Sequence, residues 1–236
     1  MVMVQVQRRV MARPIIVVTG LKREAAVAQG RGWLPLVSAG DLERTERELT
    51  AHAPGACGFL SFGLAGGLQP GLEPGTLVVA NRIVTDGGDF LPDPDWTAGL
   101  ADALPRAMVA PVAGQERIIN TVAGKQALYA ATGAAVVDTE SQIAARVGAR
   151  FGVPVAVLRA VCDPAHMTLP PAATAPLKHN GTPDPLRILA SLWRQPGQIP
   201  QLLRLARDSE AAFKALLGGF AGVARADVSQ RLLDMA

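Results

Sequence analysis

Three carboxylates occupy comparable places in this chain. Glu24 follows the apolar run "PIIVVT" within "TGLKREAAVA", Glu140 follows "AAVVD" within "VVDTESQIAARV", and Asp163 closes "VAVLRAVCD". Carboxylates can relay protons, orient hydroxyls or stabilise a developing cation. Each of those tasks requires them to meet in one crevice. Their separation in sequence leaves that meeting to the fold.

Each acid also has an ordinary reading. Asp138 is well placed as a helix N-cap, and Glu140 would sit in the first turn, favoured by the helix dipole. That accounts for Asp138 better than for Glu140, because any polar residue would serve at the latter position. Asp163 precedes Pro164, which restricts it to extended or turn geometry, so an Asx-type turn competes with a functional acid. Thr19, Gly20 and Arg23 form a strand-to-helix turn whose amides could face an anion. Neither the GxGxxG nor the GxxxxGK[ST] phosphate motif is present there. Gly63, Gly66 and Gly67 in "SFGLAGGLQPGLEPG" permit close approach of backbone to a ligand, or simply tight packing.

The elements that must position these residues follow from hydropathy. Apolar runs at 14–19, 57–62, 76–81, 107–113, 134–138 and 154–161 suit strands buried on both faces. Helical patterns lie between them at 21–29, 41–51, 95–104, 123–132 and 139–151. This alternation predicts an α/β fold, a three-layer helix–sheet–helix sandwich with a mainly parallel or mixed central sheet. Every acid would then follow the carboxyl end of a strand, where open α/β sheets bind ligands. Residues 13–236 read as a single domain preceded by an extension at 1–12. Residues 166–185, rich in Pro, Thr and Ala, read as a lid, and 186–220 as two helices split by "QPGQ".

Composition narrows the function classes. Of 236 residues 49% are hydrophobic and 18% charged, enough for a substantial core and far from disorder. The net charge of +3 resides entirely after residue 186, where seven Arg/Lys face four Asp/Glu. That bias is compatible with an anionic membrane surface and too dilute for nucleic acid. Ile199, Leu202, Leu203, Ala206, Phe213, Leu217 and Phe220 approximate an apolar helix face, which packs across the sheet or touches a membrane transiently. His52, His166 and His179 show no metal spacing, and Cys57 and Cys162 read as buried reduced thiols. No signal-peptide pattern opens the chain, and a cytoplasmic protein, peripheral to the inner membrane at most, is expected.

Taken in order, "TGLKREA", "SFGLAGGLQPGLEPGTLVVAN" and "VVDTESQIAARVGARFGVPVAVLRAVCDPA" resemble the nucleoside phosphorylase and methylthioadenosine/S-adenosylhomocysteine nucleosidase superfamily. "LPPAATAPL" and "LASLWRQPGQIPQLLRLARDSEAAFKAL" are similar to one branch, the hopanoid-associated phosphorylases. The resemblance implies cleavage of the N-glycosidic bond of an adenine nucleoside bearing a hydrophobic substituent, adenosylhopane in that branch. It implies Asp163 as the acid at purine N7, Glu140 as the carboxylate on the ribose hydroxyls and Glu24 as the base that orients water. Thr139, Ile119 and Gly66 fall at substrate-binding positions, and Gly20 and Arg23 where phosphorylases hold phosphate. No metal or organic cofactor is implied, inorganic phosphate enters only as a co-substrate, and a homo-oligomer is usual.

Two departures bear on these roles. Thr139-Glu140 replaces the family's Met-Glu pair, and Leu64 stands where many relatives have serine, with no preceding arginine. Water and phosphate both stay open as nucleophile. A soluble methylthioadenosine-type nucleosidase and a non-catalytic nucleoside or lipid binder are the alternatives.

Overall fold

The computed structural model describes residues 13–30, 32–175 and 177–225. The extension at 1–12 lies outside the described residues. Eight strands form one mixed sheet: β1 (Ile15–Thr19), β2 (Trp33–Val37), β3 (Gly58–Gly67), β4 (Leu77–Thr85), β5 (Gly88–Phe90), β6 (Met108–Gly114), β7 (Val136–Asp138) and β8 (Val155–Asp163). Among the described residues seven α-helices accompany them: α1 (Lys22–Val27), α2 (Leu42–His52), α3 (Pro94–Ala103), α4 (Val122–Thr132), α5 (Ser141–Phe151), α6 (Pro185–Arg194) and α7 (Ile199–Arg225).

The side-chain period of two divides β1 between two cores. Ile16 and Val18 pack with Leu49 of α2 and Ile143 and Val147 of α5. Ile15 and Val17 join the cluster that contains Trp96 and Leu100 of α3 and Phe213, Leu216 and Phe220 of α7. Helices thus cover both faces, as the alternating pattern predicts. The packing of Phe213, Leu216 and Phe220 assigns the second half of α7 to the sheet.

The strand order adds a feature that hydropathy does not carry. β3 pairs in parallel with β1 and β8, β8 runs antiparallel to β4, β4 parallels β6, and β6 parallels β7. β7 then returns antiparallel to the last residues of β3, Gly66 and Gly67. The sheet therefore closes on itself through β3, β8, β4, β6 and β7. Gly66 sits where the β3–β8 register shifts, a bulge that bends β3 from one neighbour toward the other.

The strand expected at 57–62 runs further: β3 continues through Gly63 and Gly66 to Gly67, where the glycines read as a possible loop. β2 and β5 were not anticipated. Pro35 within β2 is tolerated because that strand lies at the sheet edge, and β5 is only three residues long.

Candidate active site

The carboxyl ends of β1, β2, β3, β7 and β8 converge on one cavity of about 670 Å³. Gly20, Glu24, Gly66, Ile119, Thr139, Glu140 and Asp163 all line it. Arg23 does not. Its guanidinium lies 2.6 Å from Glu210 on α7 and over the Phe213 ring, 4.2 Å from the centroid. The phosphate role expected for Arg23 therefore has no geometric support: one residue before Glu24 on a helix points another way.

Glu24 is buried and fully engaged by backbone. One oxygen, Oε2, accepts hydrogen bonds from the amides of Gly20 and Leu21, both at 2.8 Å. Oε1 accepts from Leu64 N at 2.8 Å, reaching across to β3. As the third residue of α1, Glu24 reaches back to satisfy amides that the helix start leaves open. A side chain at position 63 would put its Cβ 2.7 Å from the Glu24 carboxylate, so glycine is required there. Burial, reinforced by the nearby charge of Glu140, raises the Glu24 pKa from 4.5 to about 7 against the lowering effect of the amides.

The Gly20 amide is thus spent on Glu24 rather than presented to an anion. Gly20 instead separates the two acids: a Cβ there would lie 3.0 Å from Glu140 Oε1 and 3.6 Å from Glu24 Oε2.

Glu140 is the N-cap residue of α5, one position earlier than the expected first turn. Its side chain makes no capping bond and turns to the cavity. Ser38 Oγ and Thr139 Oγ1 donate to Oε1 at 2.9 and 2.8 Å. Asp138 supplies the capping contact, accepting from Ser141 N at 2.8 Å. It has a second task that the capping reading missed, since Oδ2 lies 2.7 Å from Arg159 Nε. Arg159 is fully buried and also stands 3.6 Å from Glu140 Oε2 and donates to Ser61 Oγ. One guanidinium therefore holds both acids of "VVDTES" in place.

Asp163 is buried at the end of β8, and its Oδ2 accepts from Lys125 Nζ at 2.6 Å. Lys125 is fully buried, and its Nζ also lies 3.0, 2.9 and 3.1 Å from the carbonyl oxygens of Asp163, Pro164 and Met167, so its three N–H groups are shared among four acceptors. Cys162 Sγ donates to Asp163 Oδ1 at 2.9 Å, and burial with the neighbouring carboxylate holds its thiol well above the ordinary range. Cys162 lines the cavity and is only half-buried, unlike the enclosed thiol expected; Cys57 is buried.

Sequence reasoning missed Arg159, Lys125 and Ser38. Arg159 carried a usable signal, because a lone charge inside an apolar run must find a buried counter-ion. Lys125 carried none: a lysine in a helix ordinarily faces water. Ser38 follows β2, which was itself unseen.

The segment expected as a lid contributes Leu169, Ala173, Thr174, Ala175 and Leu177 to the cavity lining, and α7 contributes Leu205 and Ser209. Its short turn Pro171–Thr174 is tied down on two sides: Leu169 N donates to Asn120 O before α4, and Ala172 N donates to Gln198 Oε1 before α7. Among the described residues no group of three or more His, Cys, Asp or Glu is placed to hold a metal.

A shared carboxylate cavity at the strand ends of a self-closing mixed sheet defines the class. The model of the phosphorylase superfamily matches residues 17–180, and the chain belongs to that enzyme superfamily. The futalosine hydrolase of Helicobacter pylori strain 26695 is similar in structure, with a TM-score of 0.60 at 17% identity over 78% of this chain and 99% of that one. A methylthioadenosine/S-adenosylhomocysteine nucleosidase from Colwellia psychrerythraea 34H, solved with adenine, gives 0.60 at 14% identity over 77% and 96%. An S-adenosylhomocysteine nucleosidase from Streptococcus pyogenes, solved with 5-methylthiotubericidin, gives 0.57 at 16% over 82% and 95%. No curated protein matches the chain by sequence.

Proposed function

We propose that this protein is a nucleosidase that hydrolyses the N-glycosidic bond of an adenine nucleoside. The observation that carries this reading is the meeting of Glu24, Glu140 and Asp163 in one cavity. Breaking the bond from C1′ to the purine leaves cationic character on the sugar, and the electron pair goes to the base. Glu140, oriented by Ser38 and Thr139, holds the ribose hydroxyls and opposes that charge. The purine takes its proton through the Asp163–Lys125 pair. Glu24, with a pKa of about 7, accepts a proton from the attacking water as its oxygen bonds to C1′.

Water is favoured over phosphate by the same geometry. The amides of Gly20, Leu21 and Leu64, which could have cradled an anion, already bind the Glu24 carboxylate. Arg23 is turned to Glu210. Among the described lining residues Arg117 is the only cation, so any phosphate dependence would arise there.

For the substituent we propose the hydrocarbon of adenosylhopane. Two observations support it: the likeness of residues 169–177 and 189–216 to the hopanoid-associated branch, and the apolar wall formed by Leu42, Leu169, Ala173, Leu177 and Leu205. Such a substrate partitions into membranes, so transient membrane contact is expected, and self-association follows from the resemblance. One assay decides: adenosylhopane and methylthioadenosine, each with and without phosphate, scored for adenine, free sugar and sugar 1-phosphate. Adenine with free sugar, independent of phosphate, is the expected result. Sugar 1-phosphate would overturn the water reading. Tight binding with no adenine released would favour a non-catalytic nucleoside binder.

A further inference from the structure

We propose that the outer face of α6, extended by the first turns of α7, is a docking surface for an anionic lipid bilayer. This assigns a place to the membrane contact expected above, and it holds whichever nucleoside is cleaved and by whatever nucleophile.

Helix α6 contains no buried residue. Leu186, Leu189, Ala190 and Trp193 recur at i, i+3, i+4 and i+7, the spacing of an apolar stripe that globular proteins turn inward. Here the stripe points out: Leu186 is 77%, Leu189 63% and Trp193 88% exposed. Ile199 and Leu203 at the start of α7 are exposed as well. Further along α7 the face formed by Ala212, Phe213, Leu216 and Phe220 is packed in the core and is not part of this surface. The half-buried edge of α6 rests on the lid turn, and Gln198 donates to Ser191, so the helix is held without covering its stripe.

Charge selects the partner. Residues 185–207 hold four arginines, Arg187, Arg194, Arg204 and Arg207, and no acid. Arg187 and Arg194 are seven residues apart and flank the stripe on one side. The acids at the margins are Asp184, which lies 3.5 Å from Arg187, Asp208, and Glu210, which is paired with Arg23. A stripe of leucine and tryptophan bordered by arginine, on a helix too short to span a bilayer, has the composition of an interfacial helix. Among the described residues no helix is long and apolar enough to cross. The lid turn that α6 touches contributes Ala173 and Thr174 to the cavity wall, so the docked face would border the cavity mouth.

The test is cosedimentation of the full chain with vesicles of equimolar phosphatidylcholine and phosphatidylglycerol, against phosphatidylcholine alone, at low and high salt. Binding to the anionic vesicles at low salt is expected, at least about tenfold weaker on the zwitterionic ones. Trp193→Ala with Leu189→Ser, and separately Arg187→Glu with Arg194→Glu, should each weaken it about tenfold or more. Adenine release from a soluble nucleoside should be unchanged in both, which keeps this outcome separate from that of the catalytic reading. No binding at low salt, or binding that neither variant weakens, would overturn the proposal. So would a dimer in light scattering that the Trp193→Ala, Leu189→Ser variant dissolves without any vesicle binding, because the face would then belong to a second copy of the chain.

Discussion

Lys125 Nζ lies 2.6 Å from Asp163 Oδ2 where neither side chain meets bulk solvent. The same ammonium also holds three carbonyls, those of Asp163, Pro164 and Met167. It thereby ties the end of β8 to the segment that follows it, through Met167. Removing the cation alone would strand a buried carboxylate. Lys125→Met should cost about 3–5 kcal/mol in denaturant unfolding. Asp163→Asn should lower turnover about 10²–10⁴-fold with a much smaller effect on ligand affinity. The double variant should lose less stability than the two singles summed, and strict additivity would argue against a coupled pair.

Glu24 makes a pH prediction with two separable signs. Its pKa is near 4.5 unfolded and about 7 folded, so between those values the native state binds the extra proton. Stability from this group therefore falls as pH rises from about 4.5 to 7, by about 3 kcal/mol in total. Under the proposed mechanism activity moves the other way, because Glu24 must be ionised to serve as base: kcat/KM should rise through pH 7. Glu24→Gln should lose turnover and flatten that stretch of the stability profile. A wild-type profile already flat there would refute the raised pKa.

Glu140 and Arg159 should separate by readout. Glu140→Gln retains the shape of the acceptor and weakens its hold on ribose, so a wild-type preference for ribo- over 2′-deoxynucleosides should shrink in the variant. Arg159→Met would leave Asp138 and Glu140 without their shared cation and should cost about 3–5 kcal/mol of stability. Arg159→Lys should recover part of that stability, though a single ammonium cannot reach both acids as a guanidinium does. Full activity in Arg159→Lys would refute the positioning role.

Arg23 provides the control. Its partners are Glu210 and the Phe213 ring, on the surface side of α1. Arg23→Ala should leave the kinetic constants and any response to phosphate unchanged. Altered phosphate dependence would return Arg23 to the site.

The acids were legible in the sequence because each closes or closely follows an apolar run, and strand ends in α/β folds face a common crevice. The glycines of β3 misled in one respect. "SFGLAGG" has loop composition, yet Gly63 is there because a Cβ would strike Glu24, a reason visible only once the two segments are joined. Arg23 and Lys125 failed for the opposite cause. Both are basic residues on helices, and composition cannot tell which one turns inward. β2 was hidden by Pro35 and the brevity of its run, and Ser38, a direct partner of Glu140, was hidden with it.

The return of β7 to the end of β3 has a consequence for how the molecule comes into being. Ser38 meets Glu140 across 102 residues, and Arg159 meets Ser61 across 98. Such long loops must close before their contacts repay the lost chain entropy, which makes these contacts slow to form. A chain that extends only through α5 has Glu24 and Glu140 but neither Arg159 nor Asp163. Under the proposed mechanism such a chain lacks both the acid that serves the leaving purine and the guanidinium that holds Asp138 and Glu140, so the site is complete only once β8 is in place.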